Sequence, residues 1–220
     1  MDNALGLMRL LTWMSPAFPI GAFSYSSGLE AAVHDRRVSD AASLEDWISL
    51  IISHGSLWND AVLLVEASKR AGDEGELREL SELALAMAGS SERYRETLLL
   101  GQAFRDAAKP WPVDVLERLP AEVPYPVAVG AIGAGNGIEI KSVLIGFLHS
   151  SASQLISAGI RLSVCGQSQG VAILAALESN VEAVAARAVA STLDDLGTAA
   201  IGAEISALRH EELHSRIFRS

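Results

Sequence analysis

Three clusters in this sequence combine residue types that carry out chemistry in other proteins. Gly166-Gln167-Ser168-Gln169-Gly170 has the G-x-S-x-G spacing of a hydrolase nucleophile, and Asp194 or Asp195, then His210 or His214, follow in the order acid, base. Such a serine works where parallel strands present it on a strained turn beside an oxyanion hole, yet the residues before Ser168 read as helical. A serine hydrolase using Ser168 is the alternative reading; the favoured one is a helix-start turn, with Ser168 as cap or solvated side chain. His210-Glu211-Glu212-Leu213-His214 is a literal H-E-x-x-H, which on a helix sets two imidazoles on one face with a glutamate as base. A catalytic zinc needs a third protein ligand, and residues 215–220 contain no His, Cys, Asp or Glu. Upstream, His34 and His149 stand in ordinary settings, and His54 falls one turn from both Ile51 and Trp58, as a core-edge or interface histidine would. Transient binding of a divalent metal by His210 and His214 is the weaker candidate that survives, since imidazole suits nickel. Finally, Gly130, Gly133, Gly135 and Gly137 precede Lys141-Ser142. A phosphate loop needs glycine directly before the lysine, and Ile140 stands there, so these glycines predict close helix packing.

The elements that must position these groups are helical. Leu44, Trp47, Ile48, Ile51, Trp58, Val62 and Val65 recur at helical spacing and predict one long amphipathic helix, opened by Ser43 and Asp46 as an approximate capping box. Leu77, Leu80, Leu83 and Met87 repeat the pattern, as do Tyr94, Leu98, Gly101 and Phe104, with a break at Gly89-Ser90-Ser91. Five prolines between Pro110 and Pro126 predict a connection between an N-terminal and a C-terminal set of helices. Asn136 followed by Glu139 reads as the next helix start, with Val143, Leu144, Phe147, Leu148, Leu155 and Ile156 as its apolar face. Helical patterns continue through residues 171–190 and 200–213. Ile160 to Val164 is the best strand candidate.

Composition narrows the class. Half of the 220 residues are hydrophobic, enough for a sizeable core in one domain spanning residues 1–220. Seventeen Lys and Arg against 27 Asp and Glu give a formal charge of −10, unfavourable for general attraction to nucleic acid or anionic membrane. Cys165 is the single cysteine, which excludes an internal disulfide and a multi-cysteine zinc site and fits a reducing compartment. The first residues lack the charge layout of a signal peptide, and polar residues interrupt every apolar run before the roughly 18 residues of a membrane helix. The expectation is an all-α, cytoplasmic, single-domain compact bundle of about ten helices without a complete active site, an interaction protein.

Longer motifs carry a family resemblance. Residues 15–30, SPAFPIGAFSYSSGLE, resemble the S-P-x-x-P-h-G-x-F-S-Y-S-x-G-L-E pattern of the urease accessory protein UreF family, h being apolar. In physical terms its prolines and glycines pin an ordered loop, with Phe23 and Tyr25 as apolar anchors. Further along the chain, and in the family's order, Ser91-Glu92-Arg93 through Gly101 is similar to its central helix and Tyr125-Pro126-Val127-Ala128-Val129-Gly130 to its Y-P-V-A-x-G. Arg161-Leu162 with Gly166-Gln167 is similar to R-L-x-x-x-G-Q, and His210-Glu211 with residues 215–220 to H-E-x-x-Y-S-R-L-F-R-S. Departures are Ser163-Val164-Cys165, where the family is proline-leucine-like, and His214 and Ile217 in the tail. His214 stands where the family has tyrosine, which makes the H-E-x-x-H accidental.

The resemblance implies an all-α, typically dimeric protein that performs no chemistry itself. It implies binding to the accessory protein UreD (UreH in some bacteria) and recruitment of the GTPase UreG. The complex then engages apo-urease and delivers nickel under GTP control, with no cofactor tightly bound to this chain. Tyr25 and Glu30 in the loop pattern, and Arg216, Phe218 and Arg219 in the tail 209–220, are the expected partner contacts. The tail combines an aromatic anchor with two guanidinium groups suited to carboxylates. Ordering of this tail against UreD is the favoured expectation, and docking of Phe218 on the protein's own core the alternative.

Overall fold

A computed structural model describes residues 3–220. Helix α1 (Asn3–Trp13) buries Leu10 and Trp13 and leaves Leu7, Met8 and Leu11 exposed. After a long ordered loop comes the short α2 (Leu29–His34), then α3 (Ala41–His54) and α4 (Ser56–Lys69). The single long helix expected here is therefore two. Gly55 adopts an extended conformation between them (φ −112°, ψ −153°), although the apolar spacing runs on across it. The capping box also lies one turn earlier than expected: Asp40 accepts the Ser43 N–H at 2.9 Å, and the Ser43 hydroxyl accepts the Asp40 N–H at 3.1 Å. Asp40 is better placed because the N-cap side chain must reach the free N–H groups of the first turn.

Asp73 and Ser90 cap α5 (Glu74–Ala86) and α6 (Ser91–Ala107), so the break at residues 89–91 falls where the sequence puts it. The proline-rich stretch holds a single-turn α7 (Val115–Arg118) and buries Val115, Leu119 and Val123. It packs onto the common core as it connects. Next come α8 (Tyr125–Gly135) and α9 (Ile140–Arg161). Glu139, accepting from the N–H groups of Lys141 and Ser142 at 2.8 and 2.7 Å, caps α9. Asn136 instead closes α8, which corrects its expected place at the helix start.

The strand expected over residues 160–164 is absent: Ile160 and Arg161 finish α9, and Ser163 turns the chain with φ 61°. Burial of Leu155 and Ile156 on the helix outweighs the β-branched propensity of Ile160 and Val164. The chain ends in α10 (Gln167–Ala176), α11 (Glu178–Val189), α12 (Ile201–His210) and an irregular segment 211–220. The fold is all-α: among the described residues there are twelve α-helices and no strand.

Helix α8 is the centre of the core, buried from Pro126 to Gly133 between α4 and α6. Two glycines let backbones touch there. A Cβ on Gly130 would stand 2.1 Å from the Leu64 carbonyl oxygen, and one on Gly101 2.1 Å from that of Val123. The glycine run is thus a packing device, and Lys141 pairs with Glu182 at 3.3 Å. Around it, Trp13, Phe18, Phe104, Trp111, Tyr125 and Phe147 form a chain of tilted and edge-on rings 5.3–6.4 Å apart. Contrary to expectation, Ala41–Lys69 and Ile140–Arg161 are long and apolar enough, by length and composition, to cross a membrane. Gly55 divides the first, and 67% of its most apolar window and 50% of the second's are buried inside the protein, as core helices are.

Candidate partner-binding site

The loop pattern and the segment after α12 meet in space. Residues 15–28 leave α1 through turns closed by Phe18 N–H to Ser15 O (2.9 Å) and Ile20 N–H to Phe18 O (2.8 Å). Gly28 enters α2 with φ 81°, and a Cβ there would stand 2.8 Å from the Ala207 nitrogen, so α2 and α12 approach at backbone distance. Tyr25 is buried, as an anchor must be; Phe23, expected to be a second anchor, is 70% exposed. Phe18 takes the anchoring place, packed on Phe104 and Trp111.

The close approach of α2 and α12 sets three side chains together. His210, fully buried, lies between Glu92 (Nδ1 to Oε2, 2.7 Å) and Glu30 (Nε2 to Oε2, 3.1 Å). Glu30 also accepts the Ile217 N–H at 2.8 Å and the Phe218 N–H at 2.9 Å, one on each oxygen. Burial pushes its carboxyl up, but those two N–H groups and His210 together hold it below the ordinary carboxylate value. Glu92, in the first turn of α6 where a negative charge is favoured, takes Arg216 on its other oxygen. Glu211 reaches the same helix end, accepting from the N–H and hydroxyl of Ser91 at 2.8 and 2.9 Å. A second layer continues below. Arg219 N–H donates to Ser24 O (2.8 Å) and Ser26 N–H to Ser220 O (2.9 Å), while Ser27 and Ser220 hydroxyls both donate to buried Glu96. Arg93 stands between Glu96 and Asp60. Burial raises both carboxyls against the pull of that guanidinium.

The segment 211–220 is thus ordered on its own chain, which corrects the expectation that it needs a partner to order it. Phe218 is buried in the core under the Arg161 guanidinium, 4.2 Å from its ring centre. Arg161 also donates to the Phe23 carbonyl. Around this seam Phe23, Ile217 (59% exposed) and Arg219 face solvent. Of the expected contacts, Tyr25, Glu30 and Phe218 face inward, whereas Arg219 and part of Arg216 face out.

The catalytic look-alikes come apart. Helix α12 ends at His210, so His214 is exposed in an irregular turn and the two imidazoles share no helical face. Both His210 ring nitrogens face carboxylates, and among the described residues no group of three His, Cys, Asp or Glu is placed to hold a metal ion. Gly166 is the cap of α10, and Ser168 is exposed in its first turn. The buried carboxylates Asp60 and Glu96, with the half-buried Arg93 between them, were missed by sequence reasoning. Asp60, on the apolar face of a helix that runs on through Ala61, Val62, Leu63, Leu64 and Val65, was the available signal.

Comparison with known proteins spans the whole chain. The family model UreF matches residues 38–178. The chain is 57% identical over 219 residues to a urease accessory protein UreF of Agrobacterium fabrum, covering 100% of this chain and 98% of the relative. It is 56% identical over 214 residues to one of Rhizobium etli, with 97% and 96% covered. Against urease accessory protein UreF 1 of Brucella canis the identity is 50% over 219 residues, with 100% and 96% covered.

Proposed function

The chain belongs to the UreF family of urease accessory proteins, and on that premise we propose that it bridges UreD (or UreH) and the GTPase UreG during urease maturation. It contributes surfaces and no chemistry of its own. Nickel is cargo of the assembled complex, passed to apo-urease as UreG turns over GTP. The adaptor works in the cytoplasm as a homodimer, apart from nucleic acid and membranes.

The observation that carries this reading is the convergence of residues 15–30 with residues 211–220 on Glu30. Those two stretches carry the loop pattern and the tail pattern of the family resemblance. Instead of framing a reaction centre, they lock one another and leave Phe23, Ile217 and Arg219 outward. An aromatic, an aliphatic and an arginine side chain on a rigid frame are what interface hot spots use. Tyr25, Glu30 and Phe218 act from beneath by holding that surface in shape, and Arg216 joins the two layers. Loss of the chain from its source should abolish urease activity, and restoring it should recover activity without added catalytic components. Full nickel-loaded urease in its absence would refute the assignment.

A further inference from the structure

The outer face of α12 is an apolar surface apart from the seam. At roughly 100° per residue, Ile201, Ile205 and Leu208 fall in one row at i, i+4 and i+7, and they are 68%, 41% and 50% exposed. The row lies opposite Ala203, Ser206 and His210, the buried side of the helix, and so points away from the Glu30 network. Its two edges differ in charge. Along one, Arg37 donates to the Gly202 carbonyl at 3.3 Å and Arg209 pairs with Asp35 at 2.8 Å, while exposed Arg36 stands between Asp35 and Arg37 in the chain. Three guanidinium groups thus meet one carboxylate there, in a protein whose formal charge is −10. Along the other edge Glu204 turns inward, 3.4 Å from the Thr198 hydroxyl and with its charge acting on Arg93. Glu211 is taken by Ser91, and exposed Glu212 lies past the end of the helix. A contiguous aliphatic row with a polar rim marks an interaction surface, and the rim on this one is cationic.

We propose that the outer face of α12 docks an acidic amphipathic helix of a protein partner, its apolar row laid on Ile201, Ile205 and Leu208 and its carboxylates set along the Arg36, Arg37 and Arg209 edge. A helix suits a straight row of this spacing because its own i, i+4 and i+7 side chains interleave with it. The contact needs about two turns of the partner helix, or about 10 Å. Carboxylates meet guanidinium groups through paired hydrogen bonds, and charges at such a rim select the partner and speed its arrival. A second copy of this chain matches the surface less well. In an antiparallel two-fold pair like edges meet, which sets arginines against arginines, and in a parallel pair the arginine edge would face Glu204, which is turned inward. The proposal rests on the reading of the chain as an adaptor and adds a face that the seam does not use.

The test titrates the full chain with a synthetic helical peptide carrying leucines at i, i+4 and i+7 and glutamates along one edge, followed by the carbon-13 signals of the isoleucine δ1 methyl groups. Those of Ile201 and Ile205 should shift saturably, and those of buried Ile48 and Ile132 should not. Ile205→Asp should weaken the peptide about tenfold. Arg37→Glu should do the same, with binding recovered by a peptide that has lysines in place of the glutamates. Both changes fall on exposed side chains and should leave the melting temperature unchanged. A shift that stays linear, equal binding of a scrambled peptide, or a lysine-edged peptide that binds the parent chain as well would overturn the site. In cells, folded Ile205→Asp should lose one component of the urease maturation complex and with it urease activation. Normal activation with every component retained would overturn the partner assignment while the family role stands, and a dimer that becomes monomeric through Ile205→Asp would give this face to a second copy instead. Saturable peptide binding by a parent chain that retains neither UreD nor UreG would support the face and defeat the adaptor reading.

Discussion

His210 and Glu92 lie 118 positions apart in the chain, yet Nδ1 of the histidine stands 2.7 Å from Oε2 of the glutamate. With Glu30 on its other nitrogen at 3.1 Å, the ring ties α2, α6 and α12 into one unit. Replacing the ring leaves two buried carboxylates without their shared partner. His210→Ala should therefore lose about 3–5 kcal/mol of stability, read as a lower denaturant midpoint with the slope unchanged.

The acid limb of stability should report Glu30. Its folded carboxyl is held below the ordinary 4.5, with burial opposed by the Ile217 and Phe218 N–H groups and His210. A depressed folded value means the unfolded chain binds the proton more readily, so stability rises with pH through that window. The contribution is complete above about 4.5 and disappears as pH falls through the folded value. Glu30→Gln should be less stable than the parent at neutral pH, with the difference shrinking below that window. A difference that grows on acidification would contradict the assignment.

Helix identity was legible where local chemistry decides it, and the network was not. Ser90 caps α6 at the break that composition marks, and the apolar spacing of α5, α6 and α9 reads directly. Gly55 went unseen because Ile51 and Trp58 keep one apolar rhythm across it. The H-E-x-x-H read as helix because nothing local announces that α12 stops at His210. What redirects Glu211 is Ser91, 120 positions away. Glu30 and His210 are 180 positions apart, and no periodicity encodes that distance. The family resemblance singled out Glu30 and His210, but only the fold brings them together.

Ser168→Ala should leave folding and urease activation at wild-type levels. The hydroxyl is exposed in the first turn of α10 and makes no hydrogen bond among the described residues, so the change should stay within about 0.5 kcal/mol. Thermal melting and urease assays in a complemented strain check both. Loss of activation by a folded variant, or labelling of Ser168 by a fluorophosphonate, would restore the hydrolase reading.

The seam between residues 23–26 and 217–220 separates stability from docking. Phe218→Ala removes a buried ring from under Arg161 and should cost about 3–5 kcal/mol. Arg219→Glu changes an exposed side chain and should leave the melting temperature unchanged while reducing recovery of UreD in pull-down. If Arg219→Glu and Ile217→Asp both recover UreD at wild-type yield, this edge of the seam does not form the interface.

The bridging role is tested most directly by recovery of UreG on tagged UreD, from cells of the same source with and without this chain. UreG should be retained, in proportion to the chain bound, only when the chain is present. Equal retention of UreG without it, or a chain that binds neither protein, would contradict the account.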